Sequence, residues 1–336
     1  MKEFIPPVLP DCLIPDWENN ETLQERHAQL QHVSLEDYAA DMPLPRWHSG
    51  GLHHIDTFKD DPDSIKDETS AIIVPIPFAT GWRPHMAARV DLLNAALGGG
   101  NRMIALPNSV HGKPATQFTS EERRAFARGD FSPFSEKVVR MLEDEDIENI
   151  SVAGYSQGSV VGASIAEAVN VYGDQRLEAA ALSDTPAVVQ RSAVRLKADF
   201  LKTGVTSYIH AMDNAAIPLL RQSVEPAGFM AAIADRVRYL RTINIPENQA
   251  MSVGLRFATF GSMILHAARG NDAHFGLMRA EHSTVTPKVP YEGVLQQLHA
   301  QLPDRVQSVE IPDYGHEFGD HSVALALVEA RVLARA

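Results

Sequence analysis

The sequence predicts an α/β fold: a mostly parallel, doubly wound sheet, interrupted by a helical cap and preceded by an N-terminal arm. Three observations predict it. From residue 69 onward, short apolar runs of strand length alternate with amphipathic segments of helix length, the order of a parallel sheet covered by helices on both faces. Between residues 187 and 270 the alternation gives way to a mostly helical pattern punctuated by Pro218, Pro226 and Pro246, and about eighty residues of that kind make a cap rather than a loop. Residues 1–68 show neither pattern. They carry Pro6, Pro7, Pro10 and Pro15, then an acidic run from Asp60 to Asp67, which reads as an arm with one or two edge strands laid on the main domain. The expected division is therefore arm 1–68, core 69–186 and 271–336, cap 187–270.

The elements follow in order. Ala71 to Ile76 is a β-branched apolar run that stops at a Pro/Gly cluster, as a strand buried on both faces does. Met86, Val90, Leu93 and Leu97 recur at helical spacing, and Gly98-Gly99-Gly100 ends that helix. Arg102 to Leu106 is the next strand and Phe134 to Leu142 the next helix. Ile150 to Ala153, Val160 to Val171 and Leu177 to Leu182 then read as strand, helix, strand. Within the expected cap, helices fall at 194–201, 215–221, 227–240 and 253–268. After it come a strand at His274 to Met278, a helix near Val294 to Leu302, a strand at Val306 to Ile311 and a terminal helix from Ser322 to Ala334.

Composition narrows the function classes. A chain of 336 residues buries about three quarters of its unfolded surface and needs no staple. Its one cysteine, Cys12, rules out an internal disulfide framework and any multi-cysteine metal site. A net charge of −13 argues against a nucleic-acid partner, which needs a basic footprint. His48, His53 and His54 raise a metal reading, but neighbouring histidines on a strand face opposite ways, so His53 and His54 do not chelate together. The first residues lack the positive start and unbroken apolar stretch of a signal peptide, and no apolar run reaches membrane-span length. The expectation is a cytoplasmic protein with no membrane span.

The strongest chemical signal is Gly154-Tyr155-Ser156-Gln157-Gly158, a G-x-S-x-G pentapeptide with a strand running in and a small-residue helix running out. A sharp turn there lifts a serine hydroxyl clear of the sheet's carboxyl edge, and the glycines keep side chains out of the strand–helix contact. From about residue 68 to the end, this motif, the order of elements and a late Gly315-His316 pair resemble the α/β-hydrolase superfamily.

That resemblance implies roles. Ser156 is the nucleophile and His316 the base, with His321, in Gly319-Asp320-His321, the alternative base. Two carboxylates compete for the acid. Asp184 follows the strand after the nucleophile, 28 residues beyond Ser156, in a Leu-Ser-Asp-Thr context similar to polyketide and nonribosomal-peptide thioesterases. Glu281 lies near the commoner position, where alignment on Thr286-Pro287 puts Ser283 in place of the usual aspartate. Asp184 is preferred; as the simpler alternative it caps the first cap helix. The oxyanion hole would draw on the backbone N–H groups of Gln157 and Phe78, since Pro77 cannot donate. Trp82, His85 and Tyr155 are candidates for the substrate pocket.

These roles imply a serine hydrolase of the carboxylesterase or thioesterase type, acting on a small-molecule or lipid-like acyl ester or thioester through an acyl-enzyme, with no cofactor and no metal. A cap rich in Met and Phe suits a medium or long acyl chain. The alternative is a catalytically weak or inactive hydrolase-fold protein used for binding or assembly. Homo-oligomerisation through the arm stays open.

Overall fold

In the computed structural model the strands are where apolar runs end at turn-forming residues. The structure describes residues 7, 9–76, 82, 84–110, 113–196, 198, 199, 246–316 and 322–334. The arm supplies helices α1 (Ile14–Glu18), α2 (Glu21–Leu30) and α3 (Leu35–Asp41), then strands β1 (Arg46–His48) and β2 (Leu52–Asp56) and the short α4 (Thr57–Asp60). The core continues with β3 (Ser70–Pro75), α5 (Pro84–Ala96), β4 (Arg102–Leu106), the two-residue strands β5 (Ser109–Val110) and β6 (Lys113–Pro114), α6 (Ser120–Ala127) and α7 (Ser132–Asp144). Next come β7 (Asn149–Tyr155), α8 (Gln157–Tyr172) and β8 (Arg176–Ser183), then α9 (Pro246–Gly254) and α10 (Phe260–Ala267). The chain closes with β9 (His274–Ala280), α11 (Lys288–Gln301), β10 (Val306–Ile311) and α12 (Ser322–Leu333).

Among the described residues one eight-stranded sheet runs β1-β2-β4-β3-β7-β8-β9-β10. The six strands from β4 to β10 pair in parallel, while β2 joins β4 and β1 joins β2 antiparallel. Side chains alternate across this sheet. Ile73, Ile104, Val152, Leu182 and Leu277 enter a cluster with residues of α7, α8, α10 and α11. Val74, Ala105, Ala153, Ala181 and Met278 enter a second cluster with α5 and α12. Both faces are thus buried, which is why the strands read as unbroken apolar runs. No described helix is long and apolar enough to cross a membrane.

The arm departs from the sequence reading in kind. It contributes the expected edge strands, but its described residues also form four α-helices. Leu13, Trp17, Leu23 and Leu30 are buried in the α5/α12 cluster, and Asn20 and Ser34 cap α2 and α3 through their side chains. Arg331 pairs with Asp16 at 2.5 Å and Arg26 with Asp91 at 2.5 Å, tying the arm to α12 and α5. His53 bonds the Ala115 carbonyl through Nδ1 at 3.0 Å, whereas His54 is buried, so the two point apart.

Of the expected cap, residue 197 and residues 200–245 lie outside the described residues. The span 253–268, expected as one helix, is two: α9 ends at Gly254 and α10 begins at Phe260. A Cβ at Gly254 would stand 2.1 Å from the Phe126 carbonyl oxygen, so the chain passes too close to α6 for any larger residue. Phe260, Met263, Ile264 and Ala267 of α10 pack in the core cluster beside α8 and α11.

A wholly buried ion pair joins α5 to α12. Arg89 of α5 donates to Glu329 of α12 at 2.8 Å, with side-chain exposures of 1% and 0%. Burial pushes the Glu329 carboxyl up from its ordinary value while Arg89 pulls it back. Such a pair adds little over an apolar one, but half of it left alone is strongly destabilising. Glu329→Leu is therefore expected to lose about 3–5 kcal/mol in urea unfolding, and Arg89→Met with Glu329→Leu to recover most of that loss.

Burial also holds His27 of α2 neutral, pushing its pKa from 6.5 down to about 4. The unfolded chain takes up this proton first as pH falls. The contribution of His27 is complete above pH 6.5 and is lost as pH drops from 6.5 towards 4. Unfolding measured at pH 7.5 and pH 5 should show lower stability at pH 5, and His27→Leu should shrink that difference.

Candidate active site

The site begins as a backbone problem. β7 must turn into α8 with no loop between them. Ser156 does so at φ 57° and ψ −123°, a left-handed conformation that an L-residue adopts only under constraint. The constraint is close packing. A Cβ at Gly154 would fall 2.5 Å from the Gly158 carbonyl oxygen, and one at Gly158 would fall 2.4 Å from that of Pro75. The Ser156 N–H donates to the Ser183 carbonyl at 2.8 Å, and Ser159 Oγ lies 2.9 Å from the Gly154 carbonyl oxygen and 2.5 Å from that of Ser183. The turn is thereby tied to the ends of β3 and β8.

His316 follows β10. Its Nε2 lies 2.9 Å from Ser156 Oγ, and its Nδ1 lies 2.5 Å from Asp184 Oδ2. Donation from Nδ1 to the carboxylate leaves Nε2 as the acceptor facing the serine hydroxyl. All three residues are buried: Ser156 is 4% exposed, His316 7% and Asp184 1%. Tyr155 holds the ring from behind. It stacks on the imidazole at 5.2 Å between centroids and 28° between planes, and its hydroxyl donates to the His316 carbonyl.

Asp184 sits just past β8 with φ 47°, its N–H donating to the Met278 carbonyl at 2.7 Å. Two further donors orient the carboxylate: the Ala280 N–H reaches Oδ1 at 3.3 Å and the Ser283 hydroxyl reaches Oδ2 at 2.7 Å. The Thr286 N–H donates to Ser283 Oγ at 3.1 Å, so the serine proton is directed at Asp184. Ser283 is the residue on which the resemblance would have put the acid. Its role as a donor to Asp184 was not read from the sequence, although its polar, misaligned position was the available signal.

The other candidates are placed as follows. Glu281 accepts from the Asp313 N–H at 3.0 Å at the surface, while Asp184 is the carboxylate on His316. Gln157 is fully buried at the first position of α8, where helix N–H groups have no acceptor within the helix. Trp82 donates its indole N–H to the Pro43 carbonyl at 2.8 Å, which ties it to the arm. His85 is half-buried in the first turn of α5. Phe78 and His321 lie outside the described residues. For a metal, the grouping among the described residues is Glu281, His282 and Asp313, whose ligand atoms come within 4.8 Å of one another. They are largely exposed, and carboxylates group in this way without an ion.

No family model and no curated protein matches the sequence. Solved structures do match. A protein assigned as a lipase from Acinetobacter baumannii AYE aligns at TM-score 0.53 and 14% identity, over 90% of this chain and 93% of that one. An N-formylmaleamic acid deformylase variant from Pseudomonas putida S16 aligns at TM-score 0.51 and 12% identity, over 88% of this chain and 100% of that one. A haloalkane dehalogenase from Paraglaciecola agarilytica NO2 aligns at 0.50 and 15%, over 88% and 92%. The chain has the α/β-hydrolase fold.

The Ser156 turn carries a stability prediction. Gly158→Ala has no room against Pro75 and is expected to lose about 1–3 kcal/mol in urea unfolding, the usual cost of overpacking. Ser156→Gly, which relieves the positive φ, should leave the unfolding midpoint unchanged or higher.

Proposed function

We propose that the protein is a serine hydrolase that cleaves a carboxylic ester or thioester through an acyl-enzyme. The observation that carries this reading is the continuous line Ser156 Oγ, His316 Nε2, His316 Nδ1, Asp184 Oδ2, with steps of 2.9 Å and 2.5 Å. Ser156 attacks the acyl carbon while His316 takes its proton. The imidazolium, held by Asp184, then protonates the leaving alcohol or thiol. Water enters, gives its proton to His316, and releases the acid and the serine. Charge on the tetrahedral oxygen would fall to the Gln157 N–H, with the Phe78 N–H as the second donor. The serine nucleophile distinguishes this chemistry from that of a dehalogenase, which uses an aspartate. An ester substrate bearing a medium or long acyl chain remains the favoured class, and the cytoplasm the favoured compartment.

Fluorophosphonate should label the native chain once, at Ser156, and Ser156→Ala should abolish the label. A native chain that stays unlabelled favours the binding or assembly alternative. With p-nitrophenyl esters, Asp184→Asn should lower kcat by about 10⁴-fold, because it presents the wrong imidazole tautomer to the serine. Glu281→Gln should leave kcat within twofold of wild type. Ser283→Ala should lower kcat by about tenfold, the loss of one hydrogen bond to a charged carboxylate, with little change in KM.

A further inference from the structure

The buried pair of Arg89 and Glu329 does little for folding. The bond between them runs from Arg89 Nη2 to Glu329 Oε1 at 2.8 Å, and both side chains are closed off from water. Arg89 Nε, Arg89 Nη1 and Glu329 Oε2 are buried with no hydrogen-bond partner among the described residues. An ion pair so incompletely bonded fills a core less well than two apolar side chains of similar volume. Stability therefore supplies no reason for charge at this point, and the reason has to lie in what the pair touches.

It touches the residue that holds His316. Arg89 Cζ lies 6.0 Å from the centre of the Tyr155 ring, at the outer edge of the range over which a guanidinium and an aromatic face attract. Tyr155 is itself buried, at the end of β7. Its ring stacks on the imidazole at 5.2 Å and 28°, and its hydroxyl donates to the His316 carbonyl. The contacts thus run in sequence from Glu329 on α12, through Arg89 on α5 and Tyr155 on β7, to His316. An arginine suits the second place, because a planar guanidinium can lie against a ring while its end is bonded to a carboxylate. Glu329 has its own part. An uncompensated cation beside Tyr155 would oppose the imidazolium that the proposed reaction forms next to the same ring, and the carboxylate cancels that charge.

We propose that Arg89 and Glu329 are positioning residues that act on His316 through Tyr155. The inference rests on the hydrolase reading, in which His316 takes the Ser156 proton. The guanidinium, fixed by Glu329, holds the Tyr155 ring against the imidazole, and Tyr155 holds Nε2 at its 2.9 Å from Ser156 Oγ. Displacing a base by a fraction of an ångström lowers the rate of the chemical step and leaves substrate binding alone. The pair serves the site, and the core would be as stable without it.

Two readouts on the full chain test this, one with turnover and one without. Arg89→Met combined with Glu329→Leu removes the pair and keeps the core filled. With p-nitrophenyl esters this variant should lower kcat about tenfold, with KM within twofold of wild type. Arg26→Gln with Asp91→Asn is the control, since it removes a different ion pair of α5, the one to the arm; it should leave kcat within twofold. A cycle with Tyr155→Leu separates positioning from general loosening. Once Tyr155 is gone, removing the pair should lower kcat by less than a further twofold, whereas losses that multiply in full overturn the proposal. Without substrate, the His316 Cε1–H resonance is followed in protein labelled with carbon-13 histidine and assigned by its loss in His316→Gln. It should shift when the pair is removed, because the ring current of Tyr155 falls steeply with displacement, and stay in place in the control. An unmoved resonance overturns the proposal, and so does a kcat equal to wild type. If the Met/Leu variant does not fold, Arg89→Gln with Glu329→Gln carries the same expectations. A wild type that turns over no ester counts against the hydrolase reading, and the resonance still decides this one.

Discussion

The rest of the site depends on the backbone turn at Ser156. A parallel strand and the helix that follows it must run back to back, and here they do so across a single residue at positive φ. That conformation is unfavourable for serine in isolation. It persists because the turn is clamped between the carbonyl of Pro75 on one side and that of Ser183 on the other, with Gly154 and Gly158 leaving no space for movement. The clamp has a chemical consequence. It fixes Ser156 Oγ relative to the carboxyl ends of β3 and β8, and the segment after β8 carries Asp184. The position of the Asp184 carboxylate relative to Ser156 Oγ is thus a property of two adjacent strands.

His316 reaches the same point from the far edge of the sheet. β10 is separated from β7 by β8 and β9, so the chain between β10 and α12 has to reach back over both. Two contacts anchor it. The Tyr314 carbonyl accepts from the His282 N–H at 2.8 Å, and Tyr155, the neighbour of Ser156, stacks on the imidazole. Tyr155 therefore couples the turn to His316 through packing, and the Arg89 guanidinium, which pairs with Glu329, lies 6.0 Å from the centre of the Tyr155 ring. A residue named from the sequence as a pocket candidate is, in the structure, a support for the histidine.

Much of this architecture was legible, for reasons that can be stated. Strands buried on both faces must be apolar throughout, so Ala71 to Ile76 and Ile150 to Ala153 stand out without an alignment. The Ser156 turn demands small neighbours, so its glycines are visible as a motif. Ser156, Asp184 and His316, named from the sequence, meet within hydrogen-bonding distance. The arm was less legible because its helices are only four to ten residues long: α1 buries the single side chain Trp17, and the stripe of α2 is Leu23, Leu30 and the polar His27. α6 was overlooked despite a capping box at Thr119 and Glu122, a signal that local sequence does carry. The bond from the Ser283 hydroxyl to Asp184 needed more than Ser283's polar, misaligned position: 99 residues separate the two, and only the pairing of β8 with β9 brings them together.

The central claim is that Ser156 becomes covalently acylated during turnover. Rapid acid quench of the native chain with a p-nitrophenyl ester, followed by intact-mass and peptide analysis, tests it directly. The account predicts a burst of p-nitrophenol and one acyl group on the peptide containing Ser156, both absent from Ser156→Ala. Hydrolysis by the wild type with no adduct, or an adduct that survives the loss of Ser156, would contradict it.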